Sequence, residues 1–260
     1  MKRVWIILLA CLPLLAVAGN WISVPGSLTQ VSAVSATNVW GVNMNGNIWH
    51  WNGSQWAQVP GFLANVSAAS DGTVWGVTPE GKLFSWSGST WNLIDRPIAV
   101  LRAGGAPLWL GAVAVGSRTQ IWAMGTTGVG KNLASDKIYT WDAKSRDWIA
   151  DPDVSSHGPW SSVSVDAQGD VWATTVKGAI WRRLAGQTAW ATVPGNLVRV
   201  SAGSPQYVVG VNANGAISRW RGTAWEPMIG SLKSVSVTSD GEVWGAHSSG
   251  GVFHAPYLGP

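Results

Sequence analysis

Six copies of one spaced pattern run through this chain, and they restrict it to a repeat architecture. The clearest pair covers residues 21–55 and 56–90: WISVPGSLTQVSAVSATNVWGVNMNGNIWHWNGSQ against WAQVPGFLANVSAASDGTVWGVTPEGKLFSWSGST. Both open on Trp, then carry Val-Pro-Gly, Val-Ser-Ala and Val-Trp-Gly-Val. Counting starts from an anchor valine in each copy: Val31, Val66, Val113, Val163, Val200 and Val235. Eight residues on stands a β-branched residue, and the next position is Trp40, Trp75, Trp122, Trp172 or Trp244, with Val209 the exception. Gly or Ala follows each time, and fifteen residues past the anchor there is always Gly.

Each copy contains three short alternating runs and a Trp-led one, in the first copy 28–35, 38–43, 47–52 and 55–60. Asn45-Gly46, Asp71-Gly72, Asn214-Gly215 and Asp240-Gly241 separate such runs, as hairpin turns require. Four antiparallel strands repeated six times predict an all-β, six-bladed β-propeller. The chain begins on a Trp-led strand and ends after a third-strand equivalent. The N-terminal strand is therefore expected to complete the last blade and close the ring, which removes exposed strand edges.

Consecutive strand residues face opposite sides. A bulky indole beside a small residue (Gly41, Gly76 and Gly245 after Trp40, Trp75 and Trp244) predicts that each ring packs over its neighbour's Gly or Ala. On this reading Trp40, Trp75, Trp122, Trp172 and Trp244 are structural.

Residues 1–18 stand apart. Lys2 and Arg3 precede an apolar run, and Ala16-Val17-Ala18 supplies small residues before Gly19, the pattern of a secretory signal peptide. Cleavage near Ala18 predicts a secreted protein, extracellular or periplasmic, whose residues 19–260 form one propeller. Leu8-Leu9-Ala10-Cys11 faintly resembles a lipoprotein box, but the apolar run continues past the cysteine. Cys11 is the sole cysteine, so the remainder has no disulfide and must be held by packing and closure. Loss of the two leader cations lowers the formal net charge from +4 to +2. No Lys/Arg cluster predicts a nucleic-acid partner, and no integral membrane segment is expected after the leader.

The pattern Trp…Val-Pro-Gly…Leu…Val-Ser-Ala…Val-Trp-Gly-Val-Asn…Gly-x-Ile-Trp resembles the tectonin repeat of the β-propeller lectins, the tectonin, tachylectin and fish egg lectin group. The resemblance spans essentially the whole mature chain and is weakest in the third and fourth copies. It implies a propeller that binds sugars, bacterial lipopolysaccharide and O-methylated glycans among them. Blades alone do not specify a ligand.

Anchor spacings of 35, 47, 50, 37 and 35 locate three insertions, within 95–111, 129–136 and 151–159. In a four-stranded meander all three fall in loops that emerge on one face, around the third blade. They contain or adjoin Arg96, Arg102, Trp109, Lys131, Asn132, Asp136, His157 and Trp160. Aromatics beside amides and charges suit sugars, whose C–H faces stack on rings while hydroxyls need directed hydrogen bonds. Loops also tolerate insertion at little thermodynamic cost, so drift gives the same pattern. A second candidate set repeats with the blades: Asn43, Asn45, Asn212 and Asn214 in the second-to-third-strand turns. Several sugar sites of this kind would gain avidity, although Asn also simply favours turns. Trp49, Trp51, Trp86, Trp141, Trp181 and Trp220 alternate along third strands; most are expected to serve packing, and some to edge a pocket.

Catalysis needs convergent groups. His50, His157, His247 and His254 bring no recurring carboxylate partner with them, and the sequence carries no nucleophile motif or metal-ligand pairing. The segment 125–130 (GTTGVG) lacks the Lys-Ser/Thr of a phosphate loop. No enzyme activity, cofactor or metal is expected. A glycan-binding protein is the leading reading, and a propeller that docks another protein is its rival.

Overall fold

A computed structural model describes residues 21–94, 108–127, 135–153 and 157–255. It is a ring of six four-stranded antiparallel sheets. The blades comprise Gln30–Ser35, Asn38–Val42, Ile48–Trp51 and Trp56–Val59; Asn65–Ala68, Val74–Val77, Leu83–Trp86 and Trp91–Leu93; Leu108–Ser117, Gln120–Thr127, Lys137–Asp142 and Asp147–Ala150; Trp160–Val165, Val171–Thr175, Ile180–Arg183 and Ala191–Val193; and Arg199–Ser204, Tyr207–Val211, Ala216–Trp220 and Trp225–Ser231. The sixth joins Ser234–Val237, Val243–Ala246 and Val252–Ala255 to the N-terminal strand Ile22–Val24. Ile22 pairs with His254 and Val24 with Val252, so the ring closes as the phase of the repeat predicts.

First strands line the axis, around a channel of about 130 Å³. A ring of hydrogen bonds runs between them. The Ser that follows each anchor valine accepts the amide two residues past the next blade's anchor: Ala68 to Ser32 (3.0 Å), Val115 to Ser67 (2.9 Å), Ala202 to Ser164 (2.9 Å), Val237 to Ser201 (3.0 Å) and Ala33 to Ser236 (2.8 Å). The third blade has Ala114 at this place and breaks the ring there.

The core is divided into six clusters, each shared by two adjacent blades. Indoles one position before the small residue set the character of each junction. Trp40 meets Trp86 edge-on at 5.8 Å, Trp75 meets Trp141 at 5.5 Å, Trp172 meets Trp220 at 5.7 Å, and Trp244 meets Trp51 at 6.2 Å. Between the third and fourth blades Arg183 replaces the second indole, its guanidinium 4.7 Å from the Trp122 ring centre. Between the fifth and sixth, Val209 and Ala255 occupy the two positions.

The glycines do not receive these indoles. A Cβ on Gly41 would lie 2.5 Å from Leu28, on Gly76 2.3 Å from Leu63, and on Gly245 2.3 Å from Leu232. Each leucine enters from the loop two residues after a glycine (Gly26 and Gly61 of Val-Pro-Gly, and Gly230 of Met-Ile-Gly), and its amide bonds the second-to-third-strand turn of the preceding blade, as in Leu63 to Gly46 at 3.0 Å. The small residue is thus required by a leucine, while the indole looks to the next blade's outer strands.

Candidate functional site

The described ends of the three insertions converge. A Cβ on Gly111 would touch Ser135 Oγ at 3.2 Å. The Trp160 amide donates to the Ser135 carbonyl at 2.6 Å, forming an isolated bridge. A Cβ on Gly158 would sit 3.0 Å from the Asp136 carbonyl. Arg96, Arg102, Lys131 and Asn132 lie outside the described residues, and Trp109 is described only as backbone of the first strand of the third blade.

Of the remaining insertion residues, His157 is exposed and stacks on Trp181, with centroids 4.2 Å apart and planes 20° apart. Trp160 departs from the expected loop position. It opens the first strand of the fourth blade, is 2% exposed, and packs with Trp122 and Trp190. The Ser135 bridge draws it into the sheet. Asp136 Oδ1 and Tyr139 Oη are buried without partners among the described residues. Burial, then the Asp136 charge, pushes the Tyr139 hydroxyl up to about 12.

The repeated turns use their asparagines locally. Asn43 Oδ1 accepts the Asn45 and Asn47 amides at 3.0 and 2.9 Å, and Asn212 Oδ1 accepts those of Asn214 and Ala216 at 2.9 and 3.0 Å. These are Asx turns. Asn43 nevertheless lines a cleft of about 190 Å³ between the sixth and first blades, with Gly26, Trp49 and Trp56. Trp56 leads its strand and crosses Gly26 of the Val-Pro-Gly loop so closely that a Cβ there would meet Nε1 at 3.1 Å. The indole N–H is buried with no acceptor among the described residues. Gly61 with Trp91, Gly195 with Trp225 and Gly230 with Trp21 repeat the crossing. The third-strand aromatic varies: Trp49, Phe84, Ser218 and Phe253 stand at corresponding places. In the fourth blade that place belongs to Trp181, which His157 covers. Val-Pro-Gly, present at 24–26, 59–61 and 193–195, was the sequence signal for three of these crossings; the fourth, at Gly230, follows Met-Ile.

The histidines serve separate local structures. His50 Nε2 bonds Asn38 Oδ1 at 2.9 Å while the ring stacks on Trp40, and burial holds its pKa below the ordinary value. His254 Nδ1 lies 2.7 Å from Glu242 and its ring stacks on Trp244. His247 meets Ser249 at 2.8 Å. Among the described residues no cluster of three or more His, Cys, Asp or Glu could hold a metal ion, and no helix is long and apolar enough to cross a membrane.

Solved structures share the fold. One titled as the mitotic checkpoint complex has a chain 12% identical, with a TM-score of 0.61 over 99% of this chain and 100% of that one. The WD40 β-propeller domain of Doa1 is 14% identical, with a TM-score of 0.58 over 93% and 97%. YCF48 bound to D1 peptide is 17% identical, with a TM-score of 0.53 over 91% and 80%. Comparison with curated protein sequences gives no match. The tectonin domain family matches residues 13–95, 49–219 and 159–255, in overlapping segments that run through every blade. The chain is a member of the tectonin-domain family.

Proposed function

We propose that the protein is a secreted, non-enzymatic glycan-binding propeller, acting outside the cytoplasm after loss of residues 1–18. The observation that carries this reading is the cleft between the sixth and first blades, where Trp49 and Trp56 adjoin the Asn43 amide. Flat rings beside a directional amide match the two-sided chemistry of a sugar. At about 190 Å³ the cleft is on the scale of one sugar residue rather than a chain. Variants of the same crossing at other junctions would add weak sites into useful avidity. Convergence of the insertion roots around Ser135 supports a second contact region on the third blade, with Trp109, Lys131, Asp136 and His157 as its candidates.

A glycan array of residues 19–260, with lipopolysaccharides and O-methylated sugars represented, tests the proposal. Binding that falls about tenfold in Trp49→Ala assigns the cleft. Loss in Trp109→Ala or Lys131→Ala, with Trp49→Ala unaffected, moves the contact to the insertions. Silence across the array overturns the glycan reading and leaves the rival, a propeller that docks a protein on the same face.

A further inference from the structure

A second ring of side chains surrounds the axial channel, two residues earlier on each first strand than the serine ring. The residue before each anchor valine reads Gln30, Asn65, Ala112, Ser162, Arg199 and Ser234 around the axis. Four of the six accept the anchor amide of the next blade. Val66 donates to Gln30 Oε1 at 3.2 Å, Val113 to Asn65 Oδ1 at 2.9 Å, Val200 to Ser162 Oγ at 3.3 Å and Val31 to Ser234 Oγ at 3.4 Å. Ala112 has no polar group to offer. Arg199 differs in kind, because a guanidinium only donates. The anchor amide at its edge, that of Val235, is therefore a further donor beside it.

Arg199 also stands apart by charge. Among the described residues that line the channel it is the one cation, and no carboxylate joins it. It makes no ion pair with a described residue. Solvent reaches the side chain along the axis, yet the surrounding blades bury the guanidinium enough to lower its pKa. It remains charged at neutral pH.

The hydroxyls further along the channel extend this donor-rich lining. Ser32, Ser67, Ser164, Ser201 and Ser236 each accept a neighbouring amide. None of them donates to another described residue, so their protons are free to turn toward the axis. A cation held among donors, without a counter-charge, is costly, and an anion removes that cost.

We propose that the mouth of the axial channel is a binding site for one small oxyanion, such as a phosphate group, held by the Arg199 guanidinium with the Val235 amide and serine hydroxyls beside it. The site is separate from the cleft of Trp49 and Trp56 and does not rest on the glycan reading. Arg199 opens its strand, on the face that carries the second-to-third-strand turns. A free oxyanion and a phosphate carried on a sugar present the same chemistry there.

The experiment titrates residues 19–260 by calorimetry with inorganic phosphate and with glucose 6-phosphate, at ionic strength held constant with sodium chloride. One phosphate group bound per chain is expected. Equal affinity for the two probes supports a free oxyanion as ligand, and tighter binding of glucose 6-phosphate supports a phosphorylated sugar. Phosphate should also raise the melting temperature above that in matched chloride. Arg199→Gln should weaken both probes about tenfold or more and abolish that rise. Glutamine at this place can accept the anchor amide as Gln30 does, so the variant should melt at or above the temperature of the unaltered chain without phosphate. Arg199→Ser, which copies Ser162, serves if the glutamine variant fails to fold. Phosphate no more effective than chloride overturns the proposal, as does unaltered binding in a folded Arg199 variant. Binding of glucose 6-phosphate alone, lost in Trp49→Ala and kept in Arg199→Gln, belongs to the cleft and overturns it too.

Discussion

The Ser236 hydroxyl accepts the Ala33 amide at 2.8 Å across 203 residues, joining the last blade to the first beside the axis. Both groups are buried, so water does not substitute for either. With Ile22–Val24 completing the sixth sheet, the ring is latched at its inner and outer rims, and no disulfide is required among residues 19–260. Ser236→Ala should lower stability by about 1–2 kcal/mol by leaving a buried amide unpaired. The complement is Ala114→Ser, which supplies the missing acceptor for the fourth blade and should raise stability by about 1 kcal/mol. Urea denaturation with an unchanged m-value checks both.

Gly76 has no room for a side chain. Its Cβ would fall 2.3 Å from Leu63 Cδ1 and 3.0 Å from the Asn65 carbonyl. Gly76→Val should therefore destabilise by about 1–3 kcal/mol, the usual cost of overpacking. Gly76→Ala combined with Leu63→Val should lose less than the sum of the two single changes, because the second substitution makes space for the first. Additive losses in a double-mutant cycle would show that the glycine is needed for some other reason.

Blades, strand phase and ring closure were legible in the sequence because each follows from periodicity within the chain. Contacts between blades were not. Gly41 meets Leu28 rather than an indole because the stagger of neighbouring sheets selects the partner, and no sequence spacing encodes that stagger. The Asn43 cleft joins Gly26, Trp49 and Trp56 from two blades, so the turn asparagine was visible but its aromatic companions were not assigned to it. Val209 was recognisable as an exception, whereas Ala255 acquires meaning only opposite Val209. Trp160 looked like a loop residue until Ser135 extended the sheet edge to reach it.

Asp166 carries a buried charge that the fold tolerates poorly. Its Oδ1 accepts the amides of Gln168, Gly169 and Asp170 at 2.8–3.0 Å, but Oδ2 is buried without a partner among the described residues. Burial pushes the carboxyl above its usual range, and the neighbouring Asp170 charge adds to the rise. With the folded pKa above the unfolded value of about 3.9, ionisation favours the unfolded chain as pH rises through that interval. Asp166→Asn keeps the accepting oxygen and removes the charge. It should raise the melting temperature at pH 7 and lose that advantage below about pH 4. A pH-independent difference would point to packing instead.

At the junction of the third and fourth blades Arg183 stands in place of the second indole and pairs with Asp151. Their 2.6 Å ion pair is largely buried, with the aspartate side chain 2% exposed and the arginine 23%. Asp151 also accepts the Trp190 indole N–H at 3.3 Å, and Arg183 lies over Trp122. Removing one member strands the other in a medium that solvates it badly, so Asp151→Ala should cost about 3 kcal/mol. At the junction of the first and second blades the positions of these residues carry Val59 and Trp86. Asp151→Val combined with Arg183→Trp should therefore recover most of the loss, since a well-packed apolar pair often equals a buried ion pair. Chemical denaturation of the two singles and the double decides it. A double variant no more stable than Asp151→Ala would mean that the charge pair fixes the blade junction in a way that an indole cannot.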